Sequence, residues 1–226
     1  MNAELRRQHA RALLDAVHPA HCGALPAALV ERARLSATGR RYLARAAIGT
    51  APAVFAPDHE RWQAWQDDEP WLRWPQARLQ AFTLVLGTLA LAPALRMLVE
   101  RQAVLFARAA LGMENWRRAQ TANPWAGQPP EAVRQMGSAV LQRCGRDAQA
   151  LREALHERGK IEFLAHAERR HASLAARLAL AYARVPGRAC RGEAWLPSSA
   201  VPALLVEQQT LDEEASALVA VEGQSA

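Results

Sequence analysis

An all-α fold is predicted by three observations. Alanine, leucine and arginine dominate the composition, and all three are strong helix formers. Apolar residues recur at three- and four-residue steps. Alternating β-branched runs, the mark of strands, are absent. Half of the 226 residues are hydrophobic and 22% are charged, which is enough apolar surface for a sizeable core. The expected architecture is a single helical domain with two long helices, one kinked at Pro93, and a short acidic C-terminal tail.

The elements follow in chain order. Glu4 to Val17 reads as a first helix with an apolar stripe of Leu5, Ala12, Leu13 and Ala16, stopped by His18-Pro19. Helices are expected from Pro26 to Leu35 and from Gly39 to Ile48, with Gly49, Pro52 and Pro57 marking a loop. Asp58 suits the cap of a short helix holding Trp62 and Trp65, which Asp67 to Pro70 ends. Pro75 suits the first position of a helix running to Leu111, where Gly112 stops it. Inside that helix Pro93 removes one backbone hydrogen bond and crowds the preceding turn, so a kink is expected there.

A polar linker with Asn123-Pro124, Gly127 and Pro129-Pro130 precedes a helix to Arg143. Arg146 to Val185 is the second long helix, with Ile161, Leu164, His171, Leu174, Leu178, Ala181 and Val185 on one face and Gly159 as a point of interruption. Pro186 to Pro202 reads as a loop. Thr210-Leu211-Asp212-Glu213 has the spacing of a capping box, so a short helix is expected in the tail. The domain is drawn at residues 1–206, with the 113–130 linker offering a sub-boundary, and the acidic tail at 207–226.

The charge is uneven. The net charge is +6, from 28 basic and 22 acidic residues, and Lys160 is the one lysine. From Glu207 onward there are five acids and no base, so residues 1–206 carry a formal +11. Such asymmetry points either to contact between body and tail within one molecule or to a partner for the tail. Three scattered cysteines argue against a disulfide framework and for a reducing compartment. Met1 to Asp15 is polar, with no apolar run, so no secretory signal is expected. The uncharged stretch Leu79 to Leu95 is slightly short for the ~20 apolar residues of a membrane span and reads as a buried core helix. A soluble cytoplasmic protein is the resulting expectation.

The chemistry-bearing patterns are sparse. His18, His21 and Cys22 form the tightest metal-like cluster, but a structural zinc needs a second ligand pair and none is spaced for it. A helix-ending turn with capping or solvent-facing histidines is the expectation instead. His166 and His171 miss the spacing of a zinc helix and read as surface or interface residues. No phosphate-cradling glycine loop and no nucleophile elbow occurs. No catalytic residue, metal ligand or cofactor site is assigned, and an enzyme is not expected.

Binding residues are expected in three places. Trp62, Trp65, Trp71 and Trp74 crowd one segment, where they either wedge it onto the long helix or anchor a partner. A stacking platform for bases or sugars is a further reading of the same residues. Arg40, Arg41 and Arg45 form a small basic face, read as a solvated surface or one that steers an acidic partner. Asp212, Glu213 and Glu214 lead the acidic tail, which is able to order on a partner.

Two stretches carry a resemblance. One is Leu13-Leu14-Asp15-Ala16-Val17-His18-Pro19, reaching Leu25-Pro26; the other is Leu86-Gly87-Thr88-Leu89-Ala90-Leu91-Ala92-Pro93-Ala94-Leu95-Arg96, continuing to Ala110-Leu111-Gly112. Together they resemble the SctK family (YscK/PscK-like) of type III secretion accessory proteins. The resemblance covers roughly residues 10–112 and fades beyond the proline linker. It implies a mostly helical, non-enzymatic cytoplasmic adaptor of the sorting platform, peripheral to the inner membrane through the secretion apparatus. Its implied partners are the pod protein and the cytoplasmic domain of the inner-membrane ring, with no nucleic acid, no direct membrane insertion and no cofactor. A virulence setting comes with it.

The alternative is an all-helical TetR-type DNA-binding regulator, with a helix-turn-helix at Arg34 to Tyr42. No glycine-containing turn followed by a polar recognition helix is evident there, and Tyr42 to Ile48 reads as buried.

Overall fold

The computed structural model describes residues 14, 17–23, 25–55, 59–183 and 192–223, apart from the side chains of 53, 55, 59, 60 and 212–223. The expected helix from Glu4 to Val17, the Asp58 cap and the middle of the Pro186 to Pro202 loop lie wholly or mostly outside them. Among the described residues the fold is all-α, with no strand. The helices are α1 (Ala27–Arg34), α2 (Ala37–Thr50), α3 (His59–Asp68), α4 (Gln76–Leu95), α5 (Arg101–Thr121), α6 (Glu131–Cys144), α7 (Ala148–Arg170), α8 (Ala172–Ala179) and α9 (Ala200–Gly223). Short 3-10 turns occupy Pro19–His21, Pro52–Phe55 and Pro70–Arg73.

Local chemistry explains most of the starts. Ser36 opens α2 by accepting from the Gly39 amide at 3.0 Å. Asp147 opens α7 by accepting from the Gln149 and Ala150 amides at 2.9 and 3.1 Å. Pro75 and Pro130 precede α4 and α6 in extended or near-extended conformation, where a missing N–H costs nothing.

Helix α4 is the centre of the molecule. Every residue from Leu86 to Leu95 is buried, and α5, α6 and α7 pack around it. It is long and apolar enough to cross a membrane, and 78% of its apolar window is buried inside the chain. Its contact with α7 is the most extensive among the described helices, and the two cross tightly. A Cβ added at Gly87 would stand 1.9 Å from the Leu155 carbonyl oxygen, and one at Gly159 only 1.8 Å from that of Thr83. The two glycines therefore let backbone touch backbone. Gly159 does not interrupt α7; it is where α4 lies on it.

Both long helices depart from expectation. The helix expected from Pro75 to Leu111 is two helices, separated by a turn at 96–100. Pro93 sits in the last turn of α4, and the helix ends within three residues of it instead of kinking and continuing. Arg96 holds the turn in place. Its Nε donates to the Ala119 carbonyl at 2.8 Å, and its guanidinium also reaches the Ala122 carbonyl, at the far end of α5. Those are carbonyls a helix terminus leaves open. Gly112, with φ 76° and ψ 166°, breaks α5 locally, yet helix resumes to Thr121. The second long helix is divided at His171, whose backbone is extended and whose Nδ1 accepts from the Ser173 amide at 3.1 Å to start α8.

The 113–130 linker does not divide the body, since α6 and α7 beyond it pack on α4 before it and Trp125 within it is buried. The expected capping box at Thr210 is not formed. Helix α9 starts ten residues earlier, with Pro202 harmless in its first turn, and the Thr210 hydroxyl donates back to the Val206 carbonyl at 3.2 Å.

Candidate functional site

The tryptophan segment is built into the core. Trp62, Trp71 and Trp74 are 2%, 1% and 5% exposed. Trp71 meets Phe163 of α7 edge to face at 5.3 Å, Phe163 meets Phe82 of α4 at 5.1 Å, and Phe82 meets Trp74 at 5.3 Å. Edge-to-face stacks of this kind add to the gain from burial. Trp62 packs on Trp65 at 5.0 Å, and Trp65 on the His171 ring at 4.8 Å. Three of the four expected anchors thus turn inward. Trp65 alone is half-buried, so a partner finds little tryptophan surface here.

A buried carboxylate pins this segment to α7. Glu69 accepts from the Trp71 indole N–H at 2.7 Å and from Arg170 Nε at 2.7 Å. His166 Nε2 lies 3.6 Å from the same carboxylate, beyond a formed hydrogen bond. Burial pushes the Glu69 carboxyl up, but His166, Trp71 and Arg170 together outweigh it and hold the group below the usual carboxylate value. His166, expected at the surface or an interface, is buried on this seam, whereas His171 is a half-buried helix cap.

The arginine face is carried by α2. Leu43, Ala44 and Ala47 turn inward, which leaves Thr38, Arg41, Tyr42, Arg45 and Gly49 outward on the opposite side. Arg41 and Arg45 are exposed; Arg40 is half-buried. Tyr42, expected inside, is 51% exposed, and Leu35 in the preceding turn is 89% exposed. Helices α1 and α2 are joined by Leu35 and Ser36 alone. Gly39 makes the tight corner possible, because a Cβ there would stand 2.2 Å from the Ala33 carbonyl oxygen.

The acidic tail begins inside α9. Asp212, Glu213 and Glu214 lie on that helix, and their side chains are outside the described residues. Glu207, at its near end, pairs with Arg118 of α5 at 3.2 Å. Val206 and Leu211 stand exposed on the same helix.

The His18, His21 and Cys22 turn is held by local and long-range contacts. His18 Nδ1 accepts from the Ala20 amide at 3.2 Å, and the His21 ring nitrogen Nε2 lies 2.9 Å from the Tyr182 carbonyl. His18 caps as expected; His21 is buried and not solvent-facing. Among the described residues, no group of three or more His, Cys, Asp or Glu side chains is placed to hold a metal ion.

The sequence reading missed two features. One is a clamp on α7, where Arg158 and Glu162 pair at 2.7 Å and grip residues 193–196. The other is a cavity of about 290 Å³ beside the glycine crossing, where Lys160 meets residues far away in sequence. Unlike the clamp, whose i, i+4 spacing is readable, the cavity has no local signature. No protein-family model, curated protein or solved structure matches the chain.

Proposed function

We propose that this chain is a non-enzymatic adaptor of a bacterial type III secretion sorting platform, joining the inner-membrane ring to the pod proteins from the cytoplasmic side. The resemblance of residues 10–112 to the SctK family supplies the partners. The observation that carries an adaptor role is the placement of opposite charge on separately seated helices. Arg41 and Arg45 face outward on α2, which packs on α1. The acid-only stretch from Glu207 continues along α9, which packs on α7 and the Pro70–Arg73 turn. Arg41, Arg45 and Glu207 are not consumed by the core, and patches of opposite sign steer two different partners to two different places. The aromatic segment drops out as the leading anchor because the fold already uses it.

One observation favours the regulator reading. The α1–α2 corner has the short turn and the outward basic second helix of a DNA-reading helix pair. A single experiment separates the two. Full-length chain, a chain ending at Val206, and an Arg41→Glu, Arg45→Glu variant are each used to capture purified ring and pod proteins. The adaptor reading expects capture by the full chain, with the truncation and the charge reversal each losing one partner. Capture of neither, with sequence-selective and salt-sensitive binding of duplex DNA, overturns it in favour of the regulator.

A further inference from the structure

The cavity beside the α4–α7 crossing brings together side chains from four separate stretches of chain. Lys160, the one lysine, contributes an ammonium whose side chain is only 6% exposed. Its charged partner is the Glu157 carboxylate at 3.5 Å, and that side chain is 59% exposed. The contact is at the limit of a hydrogen bond and faces competition from water. The Tyr182 ring lies 5.6 Å from the ammonium, near the outer reach of a cation–π contact. An ammonium has three donors, and one long contact to an exposed carboxylate uses at most one of them.

The remaining walls are also donors. His18 accepts from the Ala20 amide through Nδ1, so its neutral ring carries the proton on Nε2 and donates there. Burial first, and then the neighbouring His21 and Arg34, hold its pKa below the ordinary value and keep it neutral. His156, one turn before Lys160, is held neutral in the same direction by burial and then by Arg152. Among the described residues it has no hydrogen-bond partner, and the exposed Gln80 amide at the cavity mouth has none either.

The hydroxyls, by contrast, are spoken for. Thr83 gives its proton to the Leu79 carbonyl at 2.7 Å, so the 2.6 Å contact with Tyr182 is a donation by the phenol. Tyr182 is thereby kept un-ionised, with burial pushing its pKa up. It adds no negative charge to the cavity. What remains is one cation, neutral N–H donors and a weakly held carboxylate at the rim.

We propose that this cavity binds a small oxyanion, a carboxylate or phosphate, on Lys160, with His18, His156 and Gln80 as accessory donors. A metal ion does not suit it, because the ammonium opposes a cation. A volume of about 290 Å³ lies at the lower edge of the range for small-molecule sites, so the ligand is small. Glu157 already stands in for the incoming anion. It offers Lys160 a carboxylate at long range and swings away when a better one arrives. A structural lysine–glutamate bridge has no need of the unused donors that converge on the same space. This site is independent of the adaptor surfaces on α2 and α9.

The single lysine makes the test clean. Full-length chain is treated with an amine-acylating reagent, and modification of Lys160 is followed by peptide mass spectrometry. Inorganic phosphate and citrate are added in separate arms, with chloride at matched ionic strength as reference. Saturable protection in either arm is expected, reaching about tenfold at a ligand concentration about tenfold above its Kd. The arm that protects identifies the class of oxyanion. Lys160→Met and Gln80→Leu should each reduce the ligand-induced rise in Tm, with Lys160→Met abolishing it. Glu157→Gln should tighten binding, since it removes the internal competitor, a result that a merely structural bridge does not produce. Protection no greater than in chloride, in both arms, overturns the proposal. An undiminished Tm rise in folded Lys160→Met overturns it equally.

Discussion

Helix α7 fastens two irregular segments, and it does so with the same residue types arranged in opposite ways. At its C-terminal end the segment supplies the carboxylate, Glu69, and α7 supplies Arg170 and His166. In its middle, α7 supplies both charges, Arg158 and Glu162, and residues 193–196 supply mainly backbone. Glu162 accepts from the Trp195 and Leu196 amides at 2.8 and 3.1 Å, while Arg158 donates to the Glu193 carbonyl at 2.7 Å and stacks on the Trp195 ring at 4.3 Å. Arg170 is half exposed, so the Glu69 seam keeps contact with water. Arg158 and Glu162 are 9% and 1% exposed at the side chain, so the clamp is dry. The difference shows in the carboxyls. Donors win at Glu69 and hold it low, whereas at Glu162 burial outweighs Arg158 and the two amides and pushes the group up.

Breaking the dry clamp should cost most. Glu162→Ala leaves Arg158 buried without its counter-charge and two amides without an acceptor, and is expected to lose about 3–5 kcal/mol in urea unfolding. A loss below about 1 kcal/mol would place water in the clamp and erase the contrast. Glu69→Gln keeps the shape of the seam and removes the charge that Arg170 and the Trp71 indole share. About 1–3 kcal/mol is expected, measured in the same way. Arg118→Ala, which removes an ion pair to Glu207 at the surface, should cost under about 1 kcal/mol and serves as the baseline.

The pH dependence sharpens the contrast further. Glu69 titrates below its ordinary 4.5, so its contribution is fully present above that value and is lost as pH falls through the folded pKa. Glu162 titrates above 4.5, so in the window just above 4.5 the folded chain holds a proton that the unfolded chain releases. Stability from that site therefore falls as pH rises through the window. Unfolding free energies measured across pH should show Glu69→Gln flattening the acid limb and Glu162→Gln removing the opposing slope above it. Identical profiles for the two variants would mean that the two carboxyls share one environment.

The helical class and the early elements were legible because their signals are local. Pro26, Pro75 and Pro130 act on their own turns, and helices start beside them, whereas Ser36 and Asp147 cap helices that were expected to begin at Gly39 and Arg146. The breaks at 96–100 and at His171 were not legible, because neither holds a glycine or proline. The first is secured by Arg96 reaching the end of α5, a contact across more than twenty residues. The tryptophans announced a feature without announcing its side; Phe82 on α4 and Phe163, distant in sequence on α7, decide that they face inward. At the basic face the arginines were legible, but the exposure of Tyr42 beside them follows from how α2 sits on α1. The cavity depended on Thr83 and Lys160 meeting at a crossing that two glycines make possible, and no window of sequence spans that distance.

Helix α4 has a consequence for how the chain comes into being. Its burial is completed by α7, whose contact point at Gly159 lies roughly 65 residues beyond the end of α4. At synthesis rates of about 5–20 residues per second, α4 waits about 3–13 s for that neighbour. During that wait it is a twenty-residue apolar segment with no partner for its α7 side, long and apolar enough to cross a membrane. The order in which the helices leave the ribosome thus exposes the most apolar one long before its cover is made, and it is the nascent chain, more than the finished fold, that needs protection from membranes and from other copies of itself.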